Sequence, residues 1–212
     1  MTLSISSVVG VVLAGGQSRR MGSDKASLPL LGQPLAAWVI AALRTVVEDV
    51  WLVGGPAGLA RELGVAYAPD LLPGAGPVAG IYSGLCATSA DILVSACDTP
   101  LLQPALLRGL LAGAEGWDVI VPVNKGEYEP LLALYRQTCI PAIDEALRAG
   151  QRRVVSFYST VKVRTIAQLS WQVWDAEGLS FVNLNSPADL ELVRTLLRKS
   201  PWKPLVTSST AL

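Results

Sequence analysis

The chain contains no histidine among its 212 residues, and this absence restricts its chemistry. Catalysis by a histidine base and metal binding through imidazole are both excluded. Only 16% of the residues are charged, and 17 basic residues balance 17 acidic ones, so a strongly basic nucleic-acid-binding character is absent. We therefore expect no nucleic-acid partner. Any bound metal should be a hard cation held by carboxylates and phosphates, for which Mg2+ is the obvious candidate.

Cysteines and long apolar runs are also scarce. Three cysteines without paired spacing do not make a disulfide framework and fit a reducing cytoplasm. The longest apolar runs, at Val8–Leu13 and Leu35–Leu43, are shorter than the roughly 20 residues that span a bilayer. No basic residue precedes the first apolar run, which does not fit a signal peptide. We expect a cytoplasmic protein without a membrane partner.

Apolar segments with strand character alternate with helical patterns along the chain. The predicted strands are Val8–Leu13, Asp49–Val53, Val65–Ala68, Ile92–Ala96, Asp118–Val123, Glu129–Tyr135 and Val161–Ile166. The alternation is regular up to residue 123 and predicts a parallel sheet with helices on both faces. A last helix should begin at Ser186 as N-cap and end near Lys199. We predict an α/β fold with three α/β/α layers and a Rossmann-like, mostly parallel sheet, in a single domain over 1–199 with a flexible tail at 200–212.

The segment Leu13–Lys25, with the sequence LAGGQSRRMGSDK, directly follows the first predicted strand. Gly15 and Gly16 allow the backbone to approach a ligand closely. Arg19, Arg20 and Lys25 can neutralise phosphate charge, and the sequence does not decide between the two arginines. The spacing matches neither the G-x-x-x-x-G-K-[ST] loop nor the G-x-G-x-x-G pattern. We expect this segment to hold a nucleoside triphosphate; the alternative is a tight strand-to-helix turn with solvated basic residues.

Two aspartates follow other predicted strands. Asp98 comes after Ile92–Ala96, and Asp70 precedes a loop rich in glycine and proline. Because the carboxyl ends of parallel strands share one edge, both should lie near the phosphate-holding segment. Asp98 can bind magnesium or cap the helix that begins near Gln103, and we favour the metal. Asp70 can contact a nucleotide or act as an ordinary turn residue.

Five blocks of the sequence resemble the molybdenum cofactor guanylyltransferases, a family within the wider NTP-transferase group. The blocks are LAGGQSRRMGSDKASLPLLGQPL, GPVAG, CDTP, EPLLALY and NLNSPADL, spread over nearly the whole chain. The resemblance implies the fold of the nucleotide-diphospho-sugar transferases. It also implies that GMP passes from GTP to the terminal phosphate of molybdenum-molybdopterin, with release of pyrophosphate. Further partners that it implies are molybdoenzymes or cofactor-delivery proteins.

The resemblance also implies roles for individual residues. Lys25 would bind the triphosphate, Asp70 the nucleoside, and Asp98 both GTP and Mg2+. With Arg19, Lys25 and Asp98 are the predicted catalytic residues. The implied nucleotide contacts are Leu13, Ala14, Gly15, Gly16, Lys25, Asp70 and Asp98. Asn183 and Asn185 would bind the acceptor, so the nucleotide-binding half covers about 8–123 and the acceptor-binding half about 124–199.

This chemistry is compatible with the lack of histidine. A phosphate nucleophile is already ionised near neutral pH, so its attack on the α-phosphorus requires charge screening and in-line positioning rather than a base. Two alternatives remain open. One is a related nucleotidyltransferase that uses CTP on molybdopterin, or an NTP on a sugar or polyol phosphate. The other is a catalytically inactive cofactor-binding or carrier protein.

Overall fold

A computed structural model describes residues 8–15 and 24–199 of the chain. The predicted tail at 200–212 lies outside these residues. The strands in the described part are β1 (Val8–Leu13), β2 (Pro29–Leu30), β3 (Gln33–Pro34), β4 (Val50–Val53), β5 (Ala66–Ala68), β6 (Asp91–Ala96), β7 (Val119–Asn124), β8 (Glu127–Tyr128), β9 (Leu132–Tyr135) and β10 (Val163–Ile166). The α-helices are α1 (Leu35–Leu43), α2 (Ala57–Glu62), α3 (Pro77–Thr88), α4 (Pro104–Leu111), α5 (Ile140–Arg148), α6 (Gln168–Trp171) and α7 (Pro187–Lys199).

The central sheet is built around β1, whose β-branched apolar residues suit a strand covered on both faces. The strand order is β10-β7-β9-β6-β1-β4-β5, and β8 pairs with β7. Strand β1 pairs in parallel with β4 and with β6, β4 pairs in parallel with β5, and β7 with β10. The chain thus runs outward from β1 to β5 and returns to β6 on the other side of β1. Such a reversal of strand order opens a crevice at the carboxyl ends of the strands.

Strand β9 departs from the parallel pattern. It lies antiparallel between β6 and β7, with Ser95 opposite Leu132 and Val119 opposite Tyr135. The sequence predicts a strand here, but its residue pattern does not give the direction. The reversal has a consequence for the site, because the residues that precede β9 lie at the same edge as the residues that follow β6.

Helices cover both faces of the sheet and pack on two separate apolar clusters. On one face, α1, α2 and α4 contribute residues such as Val39, Leu59 and Leu106. On the other face, α3 and α5 contribute residues such as Ile81 and Ile143. This arrangement confirms the predicted three-layer, mostly parallel α/β fold in a single domain, while the division into a nucleotide half and an acceptor half stays a prediction. In the part of the chain that is described, no helix has the length and apolar character needed to cross a membrane.

A third, smaller apolar cluster anchors the last helix beside the end of β6. Helix α7 contributes Val193, the segment ahead of it contributes Leu184, and the turn after β6 contributes Leu101. All three side chains are almost completely buried. Their packing brings a segment from the end of the described chain to the edge of the sheet where Asp98 lies.

The N-terminal cap of α7 fixes the backbone that precedes the helix. The carboxylate of Asp189 accepts the N–H groups of Asn185 at 2.8 Å and Ser186 at 2.7 Å, while its own N–H donates to Ser186 Oγ at 3.3 Å. These hydrogen bonds lower the pKa of Asp189, so the carboxylate stays ionised in the cap. The predicted start of the last helix is confirmed, and the cap holds Asn185 in place.

Candidate active site

The centre of the candidate site is the ammonium group of Lys25. Its Nζ donates to Asp98 Oδ2 at 2.6 Å and to Asn185 Oδ1 at 2.7 Å. The side chains of Lys25 and Asp98 are 16% and 20% exposed, so the ion pair is shielded from water yet reachable by a ligand. Three segments far apart in the sequence therefore meet at one point, between β1 and β6, where the strand order reverses.

A short capped turn sets the position of Lys25. Residues Lys25–Ser27 form a single 3-10 turn, and Asp24 caps it by accepting the N–H of Ala26 at 3.4 Å and the hydroxyl of Ser27 at 3.1 Å. Ala26 is completely buried, which anchors the turn to the core. The lysine side chain is thereby directed to the edge of the sheet rather than into solvent.

The turn after β6 sets the position of Asp98. The hydroxyl of Thr99 donates to the carbonyl of Ala96 at 3.0 Å and lies 3.1 Å from the hydroxyl of Ser95. The backbone carbonyl of Asp98 accepts the N–H of Leu184 at 2.9 Å. Helix α4 begins only at Pro104, without a side-chain cap. The Asp98 carboxylate is therefore not a helix cap and is available for ionic interactions.

Two backbone segments, one after β1 and one after β4, approach closely at this edge of the sheet. The N–H of Ala14 donates to the carbonyl of Val53 at 2.9 Å. Gly54 and Gly55 follow with φ of 72° and 66°, in the left-handed region that glycine adopts readily. A Cβ on Gly54 would lie 2.9 Å from Gly15 Cα, so glycine is required by space as well as by φ.

We expect Gly54→Ala to destabilise the protein by about 2 to 4 kcal/mol, since it adds left-handed strain to a steric clash with Gly15. The melting temperature should fall, and binding of GTP, the nucleotide expected from the sequence, should weaken in calorimetry because the Ala14–Gly15 backbone must shift. Gly58→Ala is the matched control. Gly58 lies in α2, where, apart from its chain neighbours and the backbone of its own helix, no atom of the described residues would come within 4 Å of the added methyl group, so this variant should preserve or slightly raise stability. Equal melting temperatures for the two variants would contradict the steric explanation.

Asp70 lies beside the same glycines and also stabilises the loop in which it lies. Its Oδ1 accepts the N–H of Leu72 at 3.1 Å and the hydroxyl of Ser83 at 3.4 Å. Its Oδ2 would lie 3.9 Å from a Cβ placed on Gly15. The turn role considered from the sequence is thus present. It also fixes the carboxylate where a ligand bound over Gly15 can reach it.

The carboxylates of the described residues include no group of three or more that could enclose a metal ion by themselves. Asp98 supplies one carboxylate, of which Oδ2 contacts Lys25. Magnesium is commonly bound by one or two carboxylates together with substrate phosphates and water. The donor set at this site therefore fits a cation that arrives with a triphosphate, and it does not fit a metal held by protein ligands alone.

Cys97, the neighbour of Asp98, is buried, and its thiol is expected to be unreactive. Burial raises the pKa of its thiol to about 12, and burial likewise raises the pKa of Cys139 to about 12. Both thiols stay protonated at neutral pH, whereas Cys86 is exposed. We expect iodoacetamide at pH 7.5 to modify Cys86 alone in the folded protein and all three cysteines after denaturation. Peptide mass mapping measures this, and rapid labelling of Cys97 in the folded protein would contradict it.

Most of the sequence-predicted site residues meet at this edge of the sheet. Some of these residues contact one another directly, and others lie at the neighbouring strand ends. They are Leu13, Ala14, Gly15, Lys25, Asp70, Asp98 and Asn185. Asn183 is exposed two residues before Asn185 and makes no such contact within the described chain. Gly16 and Arg19 lie outside the described residues.

Sequence reasoning missed the residues that support this group. Asp175 is 4% exposed and accepts the N–H groups of Leu179 at 2.9 Å and Ser180 at 2.8 Å. Ser180 in turn accepts the N–H of Gln103 at 3.0 Å. These bonds hold the segment that leads to Asn185. The only signal in the sequence is an aspartate four residues before a Leu-Ser pair, in a stretch with no clear periodicity.

Comparison with known proteins gives consistent matches over nearly the whole chain. The family model of the MobA-like NTP transferase domain matches residues 10–163. A protein of Pelotomaculum thermopropionicum, named probable molybdenum cofactor guanylyltransferase, is 38% identical over 192 residues, which cover 90% of this chain and 94% of the relative. The molybdenum cofactor guanylyltransferase of Desulfosudis oleivorans is 32% identical over 197 residues, covering 92% and 98%.

Solved structures share the architecture as well. Molybdopterin-guanine dinucleotide biosynthesis protein A from Archaeoglobus fulgidus superposes with a TM-score of 0.78 at 27% identity, covering 91% of this chain and all of that one. A 2-C-methyl-D-erythritol 4-phosphate cytidylyltransferase from Thermus thermophilus gives a TM-score of 0.64 at 20% identity, covering 93% of this chain and all of that one. The second likeness concerns the fold alone.

Proposed function

Because the chain belongs to the MobA-like NTP transferase family, we propose that it acts as a molybdenum cofactor guanylyltransferase. It transfers GMP from GTP to the terminal phosphate of molybdenum-molybdopterin and releases pyrophosphate. The observation that carries the proposal is the contact of Lys25 with Asp98 and Asn185 at the reversal of strand order. A cation, a carboxylate and an amide at such a crevice suit the joining of two phosphate-bearing ligands.

The nucleotide side uses backbone groups and two charged residues. The backbone of Leu13–Gly15 lies along the base and ribose, and the Asp70 carboxylate accepts hydrogen bonds from the nucleoside. Lys25 binds the triphosphate and stabilises the negative charge that builds up on the leaving pyrophosphate. Arg19, in the adjoining segment of the sequence, adds a second positive charge.

Asp98 is the residue that would hold magnesium. When bound, the cation would screen the phosphate charges and stabilise the leaving pyrophosphate. Support for this role comes from the donor set, since one carboxylate beside a triphosphate site matches the way magnesium is commonly held. The Asp98 carboxylate would hold the cation, and the neighbouring Lys25 would bind the phosphates.

The acceptor side is formed by the segment ahead of α7. Asn185 and Asn183 contact the acceptor, and Asn185 also contacts Lys25, so one amide lies between the two substrates. The terminal phosphate of the acceptor is ionised near neutral pH and needs no base. The chain's own residues therefore act by positioning the two phosphates and by offsetting their repulsion.

The proposed compartment is the cytoplasm, on the ground that an odd number of unpaired cysteines, one of them exposed, fits a reducing environment. Molybdoenzymes or cofactor-delivery proteins are the proposed recipients of the product.

The test combines the purified protein with GTP, magnesium and molybdenum-molybdopterin. We expect stoichiometric release of pyrophosphate and a dinucleotide product whose mass shows the added GMP. CTP in place of GTP should give much slower transfer. Preferential transfer from CTP would contradict the guanylyl assignment, and binding of both substrates without pyrophosphate release would indicate a carrier protein.

A further inference from the structure

Glu129 lies at the ligand edge of the sheet, in the segment that precedes β9. Because β9 runs antiparallel to β6, its first residues lie at the edge where β6 ends. The N–H of Ala96 donates to the carbonyl of Leu131 at 3.1 Å and fastens this segment beside the strand that leads to Asp98. Strand β9 is the neighbour of β6, and adjacent strands are about 4.8 Å apart, so the segment that carries Glu129 lies next to the Asp98 turn.

The backbone that carries Glu129 is held on several sides. Its N–H donates to the carbonyl of Pro122 at 2.9 Å, and its carbonyl accepts the N–H of Leu132 at 3.0 Å. The hydroxyl of Tyr135, a fully buried residue, donates to the carbonyl of Pro130 at 2.7 Å. The backbone at Glu129 is therefore already fixed before a ligand binds, and little backbone entropy is lost on binding.

The carboxylate of Glu129 is half-buried and oriented by an amide. Asn124 Nδ2 donates to Glu129 Oε1 at 3.0 Å. Burial raises the pKa of Glu129, against the opposing effects of this hydrogen bond and of the nearby charge of Lys125. A partly desolvated carboxylate is unfavourable unless further hydrogen bonds stabilise it. A ligand with N–H donors would supply them.

We propose that Glu129 binds the 2-amino-4-oxopyrimidine edge of the pterin ring of the acceptor, an inference that rests on the proposed function. That edge presents two adjacent N–H donors, one from the ring and one from the exocyclic amine. A carboxylate accepts two such parallel hydrogen bonds, and charge-assisted bonds of this kind are strong. Glu129 is thereby a specificity-determining residue for the acceptor, and Asn124 is the residue that positions it.

Guanine carries the same pair of donors, so GTP is a second source of this chemistry. The position of Glu129 favours the pterin. Gly54 and Asp70 lie beyond β4 and β5, on one side of the Asp98 turn, whereas Glu129 precedes β9, on the other side. A guanine bound over the glycines would lie away from Glu129, while an acceptor that meets the triphosphate at Asp98 has its ring on the β9 side.

The test uses Glu129→Gln in the full-length chain. Glutamine keeps the size of the side chain and an oxygen for Asn124, but it replaces the other oxygen with an amide donor that faces the donors of the ring. We expect the KM for molybdenum-molybdopterin to rise about 10- to 100-fold. The KM for GTP, the kcat at saturating acceptor and the melting temperature should be unchanged. Glu127→Gln, at an exposed position two residues earlier, is the matched control and should leave both KM values unchanged.

Three results would overturn the assignment to the pterin. The first is a raised KM for GTP with loss of its preference over ITP, which lacks the 2-amino group; Glu129 would then recognise guanine. The second is a lower melting temperature with both KM values unchanged, which would indicate that the hydrogen bond of Glu129 with Asn124 only stabilises the fold. The third is an activity of Glu129→Gln equal to that of an active wild-type protein in the same assay. An inactive wild-type protein would instead overturn the pterin contact and the proposed function together.

Discussion

Replacing Asp98 with asparagine is expected to lower the rate of GMP transfer by on the order of 10²- to 10³-fold, by analogy with the loss of a positioned electrostatic group. The change removes the negative charge that would hold magnesium and leaves Lys25 Nζ with a neutral partner in place of an ionic one. Release of pyrophosphate, followed at several magnesium concentrations, measures the effect. Higher magnesium should recover part of the lost rate, because the weakened cation affinity is then offset by concentration.

The fold should survive this substitution, which makes the result interpretable. The structural bond of Asp98 is made by its backbone carbonyl, which accepts the N–H of Leu184 at 2.9 Å and is kept in the variant. Glu48→Gln is a suitable control, since Glu48 is exposed and precedes β4, at the opposite edge of the sheet. If Asp98→Asn transferred GMP at the rate of the control, the assignment of the cation site to Asp98 would be wrong.

The convergence of the site could be predicted from the sequence because it follows from topology. A parallel sheet places the carboxyl ends of its strands at one edge. The alternation of strands and helices predicts such a sheet, and it therefore also predicts that the segment after β1 and Asp98 after β6 lie near each other. The cap at Ser186 and Asp189 was equally predictable, because the residue types that begin helices have local causes. Both features depend on short-range patterns.

The direct contact between Lys25 and Asn185 could not be predicted in the same way. It depends on the packing of Leu184 and Val193 against the turn after β6, and no local pattern indicates such packing. The direction of β9 is also a long-range property. Its apolar residues Leu132–Tyr135 suit either direction, and only the pairing with β6 and β7 decides it. For that reason Glu129 could not be placed at the ligand edge from the sequence.

The contacts of Lys25 also explain how a strongly charged site is kept stable before substrates bind. Its ammonium group is matched by one carboxylate and one amide oxygen, at 2.6 and 2.7 Å, so neither charge of the ion pair is left partly buried without a partner. Under the proposed function, the same ammonium group also binds the triphosphate when the substrates are present.

Lys25→Ala is expected to lower kcat/KM for GTP by about 10²-fold or more, since the triphosphate loses its positioned cation. Lys25→Arg should recover only part of this loss, because the planar guanidinium cannot occupy the place of an ammonium between Asp98 and Asn185. Initial rates at varied GTP, with saturating acceptor, measure the effect. A wild-type value of kcat/KM in the alanine variant would exclude a role for Lys25 in binding the triphosphate.

Combining Lys25→Ala with Asp98→Asn tests whether the two residues act as a unit. Residues in direct contact commonly show interaction energies of about 0.5 to 3 kcal/mol in double-mutant cycles. Part of the loss in each single variant comes from the partner that remains without its counter-charge. The double variant should therefore lose less activity than the product of the two single losses. Losses that simply multiply would show that the 2.6 Å ion pair has no part in the function of either residue.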